Sequence, residues 1–121
     1  MFKEILREIM VRTDGCIGAL IMGMDGIPVE ELWNPIARDM NFDIAVAEFS
    51  SVIKNVCRLN SSIGLGKLNE ATFSTEHGIF IFRIVSKDYF LAMVLRTDGN
   101  LGRGRYELRR AELLLEKELV F

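Results

Sequence analysis

Histidine is almost absent from this chain of 121 residues: His77 stands alone, beside two cysteines, two prolines and one tryptophan. A metal centre needs several convergent ligands, and one histidine with Cys16 and Cys57 far apart offers no such spacing. No Ser/His/acid set can be assembled around one histidine in a turn, so His77 reads as a solvated surface group and no catalytic residue is assigned. Both cysteines lie in apolar surroundings and read as two buried thiols rather than one disulfide. An excess of one charge is also missing. With 15 Lys+Arg against 17 Asp+Glu the net charge is −2, which argues against a dedicated nucleic-acid binder, whose affinity comes mainly from neutralising phosphates. No apolar run approaches the roughly 18 residues of a membrane span. The opening Met1-Phe2-Lys3-Glu4 carries no signal-peptide block, so a cytoplasmic protein is expected.

Half the residues are hydrophobic, enough for one domain, 1–121, with a well-filled core. Phe2, Ile5, Leu6, Ile9 and Met10 fall on one helical face, with Lys3, Glu4, Arg7 and Glu8 toward water, and Thr13-Asp14-Gly15 ends that helix. Cys16–Met22 reads as a buried strand. Asp25-Gly26 turns the chain into a return strand, Ile27–Trp33, whose Pro28 places it at a sheet edge. Glu30 and Glu31 there read as an edge guard, not an acid/base pair. Residues 34–42 form an irregular crossover to a long helix, Asp43–Asn60, with Asp43 as its N-cap.

Three strand-like runs follow. Lys67–Thr75 alternates weakly and is polar enough for an edge, while Ile79–Val85 and Tyr89–Leu95 are apolar throughout, as strands covered on both faces are. Short turns at 76–78 and 86–88 make both connections hairpins. Thr97–Gly104 reads as a polar glycine-rich loop. It lacks the Gly-x-x-x-x-Gly-Lys-Ser/Thr pattern of a phosphate cradle, so a structural turn is expected and no cofactor is assigned. From about Tyr106 a last helix turns Leu108, Ala111, Leu115 and Leu119 inward and Arg109, Glu112 and Glu116 outward. Arg103, Arg105, Arg109 and Arg110 make a modest basic patch, a solvated helix start that an anion or acidic partner could use.

The long helix carries more apolar surface than one sheet requires. Ala45, Val46, Phe49, Val52, Ile53, Val56, Cys57 and Leu59 span an arc of roughly 160°, against roughly 100° for a helix lying on its own sheet. Either a long loop or a second chain covers the surplus. Glu48, Ser51, Lys54, Asn55 and Arg58 fill the opposite side.

Several blocks carry a resemblance. Gly18-Ala19-Leu20-Ile21, Asp25-Gly26-Ile27-Pro28-Val29, and Leu95-Arg96-Thr97-Asp98-Gly99-Asn100-Leu101-Gly102 leading into Tyr106-Glu107-Leu108-Arg109-Arg110-Ala111 resemble the Roadblock/dynein light chain family, in its short stand-alone form. The order helix, two strands, helix, three strands, helix agrees over nearly the whole chain. The resemblance implies an α/β sandwich of profilin- or longin-like shape, with a five-stranded, mainly antiparallel sheet and helices on both faces. It also implies a non-enzymatic homodimer in which third strands pair edge to edge and second helices lie side by side. The dimer-interface set is then Phe49, Val52, Ile53, Val56, Cys57, Leu68, Glu70 and Thr72. Glu48, Ser51, Lys54, Asn55 and Arg58 are left to bind a small Ras-like GTPase, as scaffold or GTPase-activating partner. A small-ligand sensor of profilin- or PAS-like shape is the alternative, and it requires a cavity between sheet and helix.

Overall fold

Every strand of this chain that is apolar on both faces lies between helices. The structure, a computed structural model, describes residues 1–37 and 40–119, with side chains to residue 117. Helix α1 (Phe2–Arg12) leads into the hairpin β1 (Cys16–Gly23) and β2 (Pro28–Trp33). A 3-10 turn at Pro35–Ala37 precedes helix α2 (Phe42–Ser62). Strands β3 (Glu70–Thr75), β4 (Gly78–Ile84) and β5 (Tyr89–Leu95) follow, and helix α3 (Leu101–Leu119) closes the described chain. The strands form one sheet in the order β2-β1-β5-β4-β3, with every neighbouring pair antiparallel. The expected sandwich is therefore present, with β2 and β3 as its edges.

Alternation along each strand splits the core in two, because successive side chains point to opposite faces. Ala19 and Ile21, Ile79 and Ile81, and Leu91, Met93 and Leu95 pack under α1 and α3. Leu20 and Met22, Phe80 and Phe82, and Phe90, Ala92 and Val94 pack under α2. Cys16 belongs to the first layer and Cys57 to the second, so the sheet separates two free thiols. Burial pushes the Cys16 thiol up to about 12, which keeps it protonated and unreactive at neutral pH.

The helix starts depart from the sequence reading in two places. Asp43 is not the N-cap of α2: the helix begins at Phe42 after Asn41, whose backbone is left-handed at φ 50°. Asp43 lies in the first turn, where its carboxylate still complements the helix dipole. The entry is set by Phe42, which is buried, lies parallel to Trp33 and meets Phe80 edge-on. Trp33 can lie flat there because Gly18 faces it across the hairpin, where a Cβ would stand 2.2 Å from the indole.

The largest difference is at α3. It starts at Leu101, not near Tyr106, so the second half of the glycine-rich segment is helix rather than loop. Asn100 accepts a hydrogen bond at Oδ1 from the Arg103 amide, 3.0 Å, which is an N-cap. Gly104 is there for packing: a Cβ would come within 3.0 Å of Ile81 Cδ1 and 3.1 Å of Met93 Sδ. Glu112, expected outward, is buried at 7% exposure. It accepts from Arg83 Nε at 2.7 Å and Arg109 Nη1 at 2.9 Å, so the strand and the helix neutralise it together. Leu119, assigned to the inward face from its spacing, has its side chain outside the described residues.

Candidate partner-binding surface

Helix α2 sorts its residues into a sheet face, an apolar flank and a polar face. Phe42, Val46, Ser50 and Ile53 are buried against the sheet. Ile53 is 1% exposed within the single chain, so it belongs to the chain's own core and not to the expected interface set. The flank is a stripe at helical spacing: Ala45, Phe49, Val52, Val56 and Leu59. Val52 is 44% and Leu59 58% exposed, and Ala45, Phe49 and Val56 are half-buried. Phe49 stacks on Phe73 of β3 with ring centroids 4.5 Å apart, so the stripe runs along the β3 side of the domain. No loop covers it among the described residues. Residues 63–67, which connect α2 to β3, are themselves exposed, with Ile63 and Leu65 turned to solvent.

β3 pairs with β4 and with no other strand among the described residues, so its outer hydrogen-bonding edge is open. Thr72 on it is exposed. Glu70 is engaged already: its carboxylate binds Arg83 at 3.1 Å and also Arg105, on the side of the sheet that α3 covers. That ties Glu70 to its own chain and removes it as a free interface contact. Cys57 and Leu68 lie away from the stripe. They line one concavity with Met24, Lys54 and Ile84, where α2 ends above the strand tips.

The polar face holds Glu48, Ser51, Lys54, Asn55 and Arg58, all exposed. Arg58 donates from Nη2 to Asn55 Oδ1 at 2.6 Å, which holds the guanidinium along the helix.

Other candidate groups have structural partners. Glu31 Oε1 accepts from Trp33 Nε1 at 2.8 Å, and Glu30 lies 3.8 Å from Lys3 Nζ. His77 is exposed in its turn beside Glu76. Among the described residues no group of three metal-ligating side chains converges, and no helix is long and apolar enough to cross a membrane. The basic patch is consumed within the chain: Arg103 and Arg110 pair with Glu107, Arg105 with Glu70 and Arg109 with Glu112. Its arginines are therefore not a ready anion site. Helical spacing hinted at the stripe's exposure, whereas the lysines gathered around Cys57 come from three separate segments that no local pattern links.

No family model and no curated protein matches the chain. Solved structures do. MglC from Myxococcus xanthus is 28% identical with a TM-score of 0.69, over 98% of each chain. A Roadblock/LC7 domain from Streptomyces avermitilis is 12% identical with a TM-score of 0.81, over 98% of this chain and 97% of that one. An MglB with a tetrameric arrangement is 19% identical with a TM-score of 0.82, over 95% of this chain and 85% of that one. The element order, the all-antiparallel sheet and these likenesses together give the chain the fold of Roadblock/LC7 domains, in support of the family resemblance carried by its sequence blocks.

Proposed function

We propose that the chain is a non-enzymatic, cytoplasmic, homodimeric adaptor that regulates a small Ras-like GTPase. One observation carries the reading: the exposed apolar stripe of α2 adjoins the open edge of β3, so one side of the domain offers both strand pairing and apolar cover. Two β3 edges paired across a two-fold axis would bring two such stripes together. A standard interface of about 800 Å² per partner is large enough to cover them. The similarity to an MglB with a tetrameric arrangement supports self-association.

In such a dimer Val52, Val56 and Leu59 meet their copies, and the face bearing Glu48, Ser51, Lys54, Asn55 and Arg58 is presented twice. That charged platform beside apolar margins suits a partner that must dissociate. Arg58, held by Asn55 on a rigid helix, is poorly placed to enter another protein's active site. Any acceleration of hydrolysis would come from ordering the GTPase's own switch loops.

The test is a paired charge reversal, Lys54→Glu with Arg58→Glu, against a small Ras-like GTPase loaded with GTP. We expect at least a tenfold loss of binding with the dimer intact, while His77→Ala, Glu30→Gln and Glu31→Gln leave binding unchanged. Unchanged binding by the paired reversal would make the polar face idle and place docking elsewhere.

A further inference from the structure

Whereas the arginines of α3 are all taken up in ion pairs, Lys54, Lys67 and Lys87 have no acid within 4.0 Å among the described residues. These three lysines converge on one concavity of about 310 Å³. Its walls are the last turns of α2, the connection into β3, and the turn between β4 and β5. Apolar side chains of Met24, Cys57, Leu68 and Ile84 line it, and Ser61 and Ser86 add two hydroxyls. Among the described residues no carboxylate lines it. The Ser86 oxygen accepts from the Asp88 amide at 3.2 Å, which leaves its own hydrogen free to donate outward.

We infer that this concavity binds a small amphipathic organic carboxylate, with its apolar body on the Cys57–Leu68 side and its head among the three lysines. A volume near the lower end of ligand sites, roughly 300–1,000 Å³, suits an apolar body on the order of ten heavy atoms. Two features oppose an anion here. The C-terminal end of α2 carries about half a negative charge, and Asp25 and Asp88 line the adjoining groove that shares Lys54. Three ammonium groups exceed the helix end in charge and border the cavity itself, whereas both aspartates lie outside it. Gly64 and Gly66, at φ 77° and 82°, flank Leu65 in the connection that carries Lys67 to the rim. This is the cavity that a small-ligand sensor would need, and it lies apart from the apolar stripe. The inference goes beyond the adaptor reading and holds whether or not a GTPase docks.

The experiment titrates the full chain with decanoate below its micelle concentration, followed by amide chemical shifts. Decyltrimethylammonium and acetate serve as the cationic and headgroup-only comparisons. Saturable shifts are expected at residues 57, 61, 66–68, 84 and 86, with both comparison compounds at least tenfold weaker. Lys67→Glu with Lys87→Glu, both exposed positions outside the proposed GTPase platform, should weaken decanoate about tenfold or more and leave the fold unchanged. Cys57→Phe, which fills the floor, should abolish saturation. Equal binding of the cationic compound, shifts centred on Val52 and Leu59, or an unaltered affinity in the double lysine variant would each overturn the inference. Loss of GTPase binding by Arg58→Glu alone, a residue outside the concavity, bears on the adaptor reading alone.

Discussion

The two faces of the sheet are finished to different degrees. On one, α1 and α3 bring their backbones close to the strands, aided at Gly104 by the absent side chain. Charges inside that layer are matched: Glu107, fully buried, lies 2.8 Å from Arg103 and 3.1 Å from Arg110. The Arg103 contact falls outside hydrogen-bond alignment at Oε2, so it acts as a charge partner rather than a directed donor. Arg110 also reaches Glu8 on α1 at 2.8 Å, which joins the two helices. On the other face α2 approaches no strand as closely, because Phe42, Phe49, Phe73, Phe80, Phe82 and Phe90 form a thick aromatic layer beneath it. That helix keeps an apolar stripe, a polar face and a concavity exposed. The closed face stabilises the domain, and the open face is where binding can occur.

The sharpest way to break this contrast is to place a charge on each side of α2. Ile53→Asp should abolish the folded state, since a carboxylate there would be buried without a counter-charge, at a cost of several kcal/mol. Circular dichroism and a lost thermal transition would read it. A folded Ile53→Asp protein would mean that α2 is far looser on the sheet than its burial implies.

A milder comparison truncates one leucine on each face. Leu108, 1% exposed under the closed layer, should cost about 3 kcal/mol on Leu108→Ala. Leu59→Ala on the stripe should cost within about 0.5 kcal/mol of chain stability. Urea unfolding at low protein concentration, where self-association contributes least, measures both. Similar costs at the two sites would remove the distinction between the faces.

Much of this was legible beforehand. Short apolar runs bounded by Asp25-Gly26 and Glu76-His77-Gly78 mark the strands, and Pro28 marks the edge. The arc of α2 gave a surplus without saying which residues formed it. Ile53 and Val52 are neighbours in sequence and both apolar, and only the direction of the helix over Phe80 and Phe82 separates core from flank. At α3 the glycines misled, because Gly102 and Gly104 read as loop when local propensity is taken alone. The tight contact of Gly104 with Ile81 and Met93 overrides that propensity. Glu112 misled for a related reason. A charged residue reads as exposed until Arg83, a strand residue distant in sequence, is seen to reach it.

The smallest expected effect is a pH dependence seated between α1 and α3. A hydrogen bond from Arg110, with the charge of Arg12 beside it, holds the Glu8 carboxyl below its ordinary 4.5. A carboxyl lowered in the folded state adds stability above its unfolded pKa, and that stability is lost as pH falls through the folded value. Stability should therefore decline as the pH drops below about 4.5, and Glu8→Gln should make the decline slightly shallower. Thermal melts between pH 3 and 7 would show it, and a variant with a steeper acid decline would contradict the assignment.

The central claim is that a second copy of the chain completes the α2 face, and sedimentation equilibrium tests it most directly. The wild-type chain should sediment at twice its 13.8 kDa mass. Val52→Asp should return a folded monomer, because the new charge falls on the exposed stripe rather than in the core. A wild-type chain that remains monomeric at about 100 μM, well above the micromolar dissociation constants of ordinary weak complexes, would contradict the account.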